Sequence, residues 1–313
     1  MPAEAPPVTL LGPQRRPRLD RVLRDKGLRG RPIALVNAGW QERESEDELL
    51  STLAGGQTLN VRLWQRMQQV WEADPELAAA DRHRREVLTE LQELYLVGLR
   101  KVREAIAEVW AHEQRNEGIK DRSLRDAERV LRDMDARHLQ RIEEIYQEFW
   151  DRWAPHHRES VATVRGLVAR ELAEVEAVVI PGGHVGVLAN ALHLFAVGPQ
   201  LSVPVVAWGA GAMALTDRVV LFHDHTVHGP APVEMFTEGI ALVHDVVALP
   251  SPRERLDLAD TARMGVLARR FAPARCLLLE ARVQVDIGPD GALPPGAPVL
   301  GRDGRRTTAG EAA

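Results

Sequence analysis

Val205-Val-Ala-Trp-Gly209-Ala-Gly-Ala-Met213 is the stretch whose reading decides the fold. The run Val203-Pro-Val-Val-Ala207 is short and apolar, as a buried strand is. Everything after Trp208 is small, and small residues are what a tightly bent backbone tolerates. The stretch therefore predicts a strand, a sharp turn and the start of a helix. The same texture recurs upstream. Val175 to Ile180 reads as a strand, Pro181-Gly182-Gly183 as a turn, and His184 to Phe195 as a helix. Downstream, Arg218 to Phe222, Ile240 to Leu249 and Ala274 to Val285 supply further strand material, with a helix near Leu256 to Arg270. Near the start, Pro32 to Asn37 is an apolar run ending in Ala38-Gly39. Glu42 to Leu53 reads as a short helix, and Gln57 to Leu63 alternates as a second strand would. Short apolar strands alternating with helices predict an α/β fold with a mostly parallel sheet flanked by helices.

Between Pro75 and about Leu172 the chain changes character. Gly and Pro nearly vanish and charge is dense. Leu88, Leu91, Tyr95, Val102, Ile106 and Val109 form one apolar set. Leu124, Ala127, Leu131, Met134, Ile142, Ile145 and Phe149 form another. Their spacing places each set on one helical face, and Asn116-Glu117-Gly118 breaks the run. The expectation is a long inserted antiparallel helical hairpin, coiled-coil-like. Its charged faces read either as solvated surface or as a surface for a protein partner or self-association. Exposed Trp110, Trp150 or Trp153 would favour the second reading. The expected organisation is a flexible basic arm over 1–30, an α/β domain built from 31–74 and 174–287, the hairpin over 75–173 and a loose tail over 288–313.

Composition narrows the function classes. The chain has 313 residues and is 45% hydrophobic, enough for a sizeable core. With 40 basic and 45 acidic residues the net charge is -5, which gives no general attraction for nucleic acid or an anionic membrane. A single cysteine, Cys276, excludes an internal disulfide and a cysteine-rich zinc site and reads as a buried core thiol. The first twenty residues lack the continuous apolar stretch of a secretory signal. The apolar region Val175 to Val197 is interrupted by Pro181, Gly182, Gly183 and His184, so no membrane span is expected and the cytoplasm is the expected location.

The turn after Trp208 is where hydrolytic α/β enzymes place a nucleophile, in the pattern G-x-S-x-G. The residue at that place is Gly209, which has no hydroxyl. This segment resembles the dipeptidase E and cyanophycinase family of serine peptidases, whose domain is similar to that of class I glutamine amidotransferases. The family's elbow reads like Trp-Ser-Ala-Gly-Ala, against Trp208-Gly209-Ala210-Gly211-Ala212 here. Val178-Val-Ile-Pro-Gly182-Gly183 resembles the family's strand and Gly-Gly turn. The resemblance covers roughly 31–63 and 175–286. It implies an amidotransferase-like fold and an oxyanion-hole-like pocket at Gly182, Gly183 and Ala210. It also implies a retained acid at Asp224. The family's histidine follows a Pro after a further strand, and Val246-Val-Ala-Leu-Pro250-Ser251 puts Ser251 there. Without nucleophile and base, acyl-enzyme chemistry has no first step. His244 is the nearest substitute base.

Other readings of these residues stay open or fail on local grounds. Gly209-x-Gly211-x-x-Ala214 also fits a dinucleotide fingerprint, but the strand from Arg218 follows too soon for the full helix this needs. His223, Asp224, His225 and His228 form the densest set of possible ligands. His-x-His on a strand points both rings to one side, although a polar loop at a strand end explains the same residues. Asn37 and Trp40 could line the pocket or simply pack beside it. No cofactor is expected, and a metal ion remains open. The first functional expectation is a pseudoenzyme, a non-catalytic amidotransferase- or peptidase-like protein that binds a small molecule or a partner. The alternatives are a hydrolase of peptide or amide bonds with a non-serine or metal-assisted mechanism, and an interaction protein acting through its hairpin.

Overall fold

The computed structural model describes residues 5–15, 17–113, 116–224 and 232–312. The first part runs β1 (Val8–Leu11), α1 (Leu19–Asp25), β2 (Ile33–Leu35), α2 (Glu48–Ala54), β3 (Thr58–Asn60) and α3 (Leu63–Ala73). Three helices follow, α4 (Pro75–Ala111), α5 (Glu117–Trp153) and α6 (Glu159–Ala173). Then come β4 (Ala177–Ile180), α7 (Val185–Leu194), β5 (Val205–Trp208), α8 (Ala210–Ala214), β6 (Arg218–Leu221) and β7 (Glu234–Glu238). The chain continues through β8 (Val246–Pro250), α9 (Pro252–Arg255), α10 (Thr261–Phe271), β9 (Arg275–Leu279), β10 (Gln284–Ile287), β11 (Pro298–Leu300) and β12 (Arg306–Thr308).

The central sheet has the order β10-β1-β5-β4-β2-β3. Every pairing in it is parallel except that of β10 with β1. The expected α/β fold, a mostly parallel sheet flanked by helices, is what the chain adopts. Strands β2, β4 and β5 are buried along nearly their whole length, as strands covered on both faces must be. One face packs under α1 and α2, with Leu19, Val22, Leu23 and Leu50 against Leu35 and Val179. The other face carries the larger core.

Several expectations about the ends and the later strands need correction. The arm expected over 1–30 is not flexible in its described residues, because β1 inserts between β5 and β10 with Leu10 fully buried. Its apolar Val8-Thr-Leu-Leu11 was masked by the Pro- and Arg-rich sequence around it. Residues 288–313 are not loose, since β11 pairs with β9 and β12 pairs with β11. The strands from 218 to 279 do not extend the central sheet. β6 and β7 form a separate hairpin, and β8 and β9 run parallel in a second sheet with β11 and β12.

The hairpin forms as expected over 75–153, while α6 packs separately. Each long helix has 37 residues, about 55 Å of helix. Asp74 and Asn116 cap the two starts by accepting from the N–H groups of Leu77 and Ile119. The hairpin lies along the core rather than projecting freely. Arg270 of α10 donates to both carboxylate oxygens of Asp135 and to the Tyr95 hydroxyl, while Arg269 forks onto Glu128. Trp110 is exposed near the tip, whereas Trp150 and Trp153 are half-buried against the core. No helix among the described residues is long and apolar enough to cross a membrane.

Candidate functional site

Strands β2, β4 and β5 run parallel, so their C-terminal ends share one edge, where α/β sheets place ligand groups. Three glycine turns meet there. Gly39 follows β2, Gly182 and Gly183 follow β4, and Gly209 follows β5. His184 N–H donates to Gly39 C=O at 2.7 Å, and Gly211 N–H to Pro181 C=O at 3.1 Å. Gly183 has φ +127, and a methyl there would strike the Gly39 carbonyl. Only glycine fits at that crossing.

Gly209 has φ 57 and ψ -126, the first central position of a type II′ turn. This is the sharp bend that sequence predicted between β5 and α8. A Cβ at Gly209 would stand 3.1 Å from Gly182 Cα, so any side chain there would project over the Gly-Gly turn. Ala210 opens α8, and its N–H therefore has no intrahelical acceptor. The residues expected to form a pocket, Gly182, Gly183 and Ala210, thus converge around Gly209.

A cavity of about 660 Å³ borders these turns. Gly39, Trp40, Gly183 and Trp208 form its inner wall, and Leu49, Leu50 and Leu53 of α2 face them. Arg43, Glu46 and Glu48 give it a charged mouth. Trp40 lines this space as one sequence reading had it. Asn37 is fully buried instead, and its amide donates to the Glu44 carbonyl.

The other expected residues lie elsewhere. Asp224 follows β6, off the central sheet. Its carboxylate pairs with Arg263 and accepts the Asp257 N–H at 2.8 Å, so both oxygens are engaged by partners other than an imidazole. Ser251 follows β8 in a left-handed conformation (φ 55) and starts α9. Of the expected pocket and triad residues only Gly183 lines the cavity; Gly182, Gly209, Ala210, Asp224 and Ser251 do not. His244 bonds Asp217 at 2.8 Å, at the starts of β8 and β6. The length of α8 separates this exposed pair from Gly209. His223 is exposed, and His225 and His228 lie outside the described residues. No group of three metal-ligating side chains occurs among the described residues. Cys276 is a buried core thiol, as read, and burial pushes its pKa up to about 12.

Sequence reading missed the turn after β2. Gln41, with φ 56 and ψ -125, kinks the segment Ala38–Arg43. Glu44 fixes the kink in place. Its buried carboxylate accepts the Trp64 and Gln65 N–H groups at the start of α3, both at 2.9 Å, and its carbonyl accepts from Asn37 and Asn60. Burial raises the Glu44 pKa against the pull of those N–H donors. No local pattern signals this, because the carboxylate and the helix start it caps are about twenty residues apart.

No family description matches the chain, and neither does any curated protein sequence. Among solved structures it is similar to a peptidase from an acI-B1 Actinobacterium. The identity is 12% and the TM-score 0.39, over 99% of this chain and 97% of that one.

Proposed function

We propose that the chain is a non-catalytic protein of the amidotransferase-like, serine-peptidase-like kind, which uses the cavity beside Gly209 to bind a ligand. One observation carries this reading. The backbone at 209 has the bend that would present a nucleophile, at the edge where β2, β4 and β5 end, yet the residue has no side chain. The acid position, Asp224, is paired with Arg263, and Ser251 stands at the base position, so a hydroxyl is not the only part lacking. What the cavity offers is a wall of two tryptophans and three leucines, with Gly39 and Gly183 between them and charged side chains beside them. Such a lining, mostly apolar with a few polar groups, suits recognition of a small molecule.

The test pairs chemistry with binding. A fluorophosphonate should leave the native protein unlabelled, and aspartyl dipeptides and simple esters should not be turned over. Fragment binding followed by NMR should move the indole N–H signals of Trp40 and Trp208 together. Stoichiometric labelling would overturn the reading by revealing an activated serine.

A further inference from the structure

A second cavity, of about 690 Å³, opens on the other side of the same turns, between the α/β core and the hairpin. Trp40 and Gly183 face the first cavity, whereas their neighbours Gln41 and His184 face the second. We propose that this second cavity is a binding site for an uncharged molecule with an aromatic ring held next to an amide, such as an aromatic residue within a peptide.

The lining specifies the ring. Trp64 and Trp71 are two turns apart on α3 and share one face, with Met67 between them. Phe236 of β7 and Tyr146 of α5 add two more aromatic surfaces. Flat apolar walls from three different elements favour a flat guest, which gains from offset or edge-on stacking as well as from burial.

The charges specify neutrality. Asp81 and Glu93 carry negative charge, and Arg84 and Arg85 positive charge, so the ionised groups of the wall cancel. Asp81 moreover holds both arginines, at 2.5 Å and 2.9 Å. His184 accepts the Val187 N–H on Nδ1, which ties the ring to the start of α7. An anionic guest would lose hydration and find both arginines already engaged by Asp81.

The amides specify the polar part. Gln41 and Gln68 line the cavity, and the hydrogen bonds of the described residues commit neither side-chain amide. Each offers one carbonyl and one NH₂, the complement of another amide. Arg84 makes the wall rigid. It is 6% exposed, it lies 4.6 Å from the Tyr146 ring centroid, and it donates to Asp81 and to the Asn190 side-chain carbonyl.

The site is also held ready. Gln41 keeps a backbone conformation costly for a residue with a side chain, of the kind found at ligand clamps. Glu44 ties that kink to the start of α3, and so to Trp64.

The probe is N-acetyl-L-phenylalaninamide, titrated calorimetrically and by saturation-transfer NMR into the full chain. It should bind about tenfold or more tightly than N-acetyl-L-alaninamide, which lacks the ring, and than N-acetyl-L-phenylalanine, which adds a carboxylate. Trp71→Ala should weaken binding by about tenfold. Gln68→Ala, which removes no bond within the protein, should weaken it by about fivefold. Val130→Ala, at an exposed residue of α5 that lines neither cavity, should leave probe binding unchanged. No saturation at millimolar probe would overturn the proposal. So would equal binding of the charged analogue, or wild-type affinity in a folded Gln68→Ala. Because Gln68→Ala breaks no hydrogen bond among the described residues, a failure of Trp71→Ala to fold would not shield the idea.

Discussion

Gln41 and Gly209 share one backbone conformation, φ 56 and ψ -125 against φ 57 and ψ -126, on turns that follow β2 and β5. Glycine adopts it freely and glutamine does not. The strain at residue 41 should therefore be removable. Gln41→Gly is expected to stabilise the fold by roughly 1 kcal/mol, the relief of strain outweighing the added chain entropy. Urea unfolding would show a raised midpoint at constant slope. A lowered midpoint would mean that the side chain stabilises more than its backbone costs.

Gly209→Ser is expected to fold, with a loss of about 1–3 kcal/mol from the positive φ and the close approach to Gly182. It should remain unlabelled by a fluorophosphonate. The nearest candidate imidazoles are engaged, His184 by the Val187 N–H and His244 by Asp217, and a positioned base is typically worth about 10²–10⁴-fold. Strong labelling of this single variant would show that a base reaches residue 209.

Gly183→Ala should be far worse than Gly209→Ser. The added methyl meets the Gly39 carbonyl, which is held by the His184 N–H and cannot withdraw. A loss of more than about 3 kcal/mol, or failure to fold, is the expected result. A midpoint near that of the native protein would mean that the turns are looser than they look.

How much of this was open to sequence reading depends on the range of each interaction. The bend at Gly209 is local, written in five consecutive residues, and it was legible. So were the hairpin's stripes, because a helix repeats its face every few residues. The partner of Asp224 was not legible. Its position after a strand suggested an acid waiting for a histidine, but Arg263 comes from a helix that no local pattern links to it. Val8 to Leu11 carried a strand signal too short to outweigh its Pro- and Arg-rich neighbours. The second cavity is built from α3, α4, α5, α7 and β7 with the turns at Gln41 and His184, and no single segment contains it.

The hairpin's attachment gives a stability prediction. Arg270 is buried and bonds Asp135, Tyr95 and the Val233 carbonyl. Arg270→Met should cost about 3–5 kcal/mol by leaving Asp135 buried and unpaired. Adding Asp135→Leu should recover much of that loss. Hydrogen exchange along α5 should rise in the single variant and fall back in the double one.

His138 should make stability depend on pH in its own window. Its ring stacks on Tyr95 at 3.9 Å, and burial lowers its pKa to about 4, against an opposing pull from Asp135. Between pH 6.5 and 4 the unfolded chain takes up a proton that the folded ring refuses. Stability should thus fall as pH drops through that window, by up to about 3 kcal/mol. Glu44 and Glu234, whose pKa values burial raises, work the other way. The comparison is therefore between the native protein and His138→Gln. Their stabilities should converge as pH falls from 7 to 4.5, and parallel curves would refute the assignment.

The place of β1 has a consequence for how the chain comes to be assembled. Val8 pairs with Val205 on one side and Ile287 on the other. A strand made among the first residues must wait, unpaired, until the last third of the chain exists. Meanwhile β2, β4 and β5 can zip together and leave β5 as a bare edge, the kind of edge that recruits stray strands. The loop that β1 closes onto β5 contains the whole helical hairpin, and closing so long a loop costs entropy and time. The slow step in folding this protein is therefore expected at its first strand, when Val8 to Leu11 seals the edge that carries Gly209.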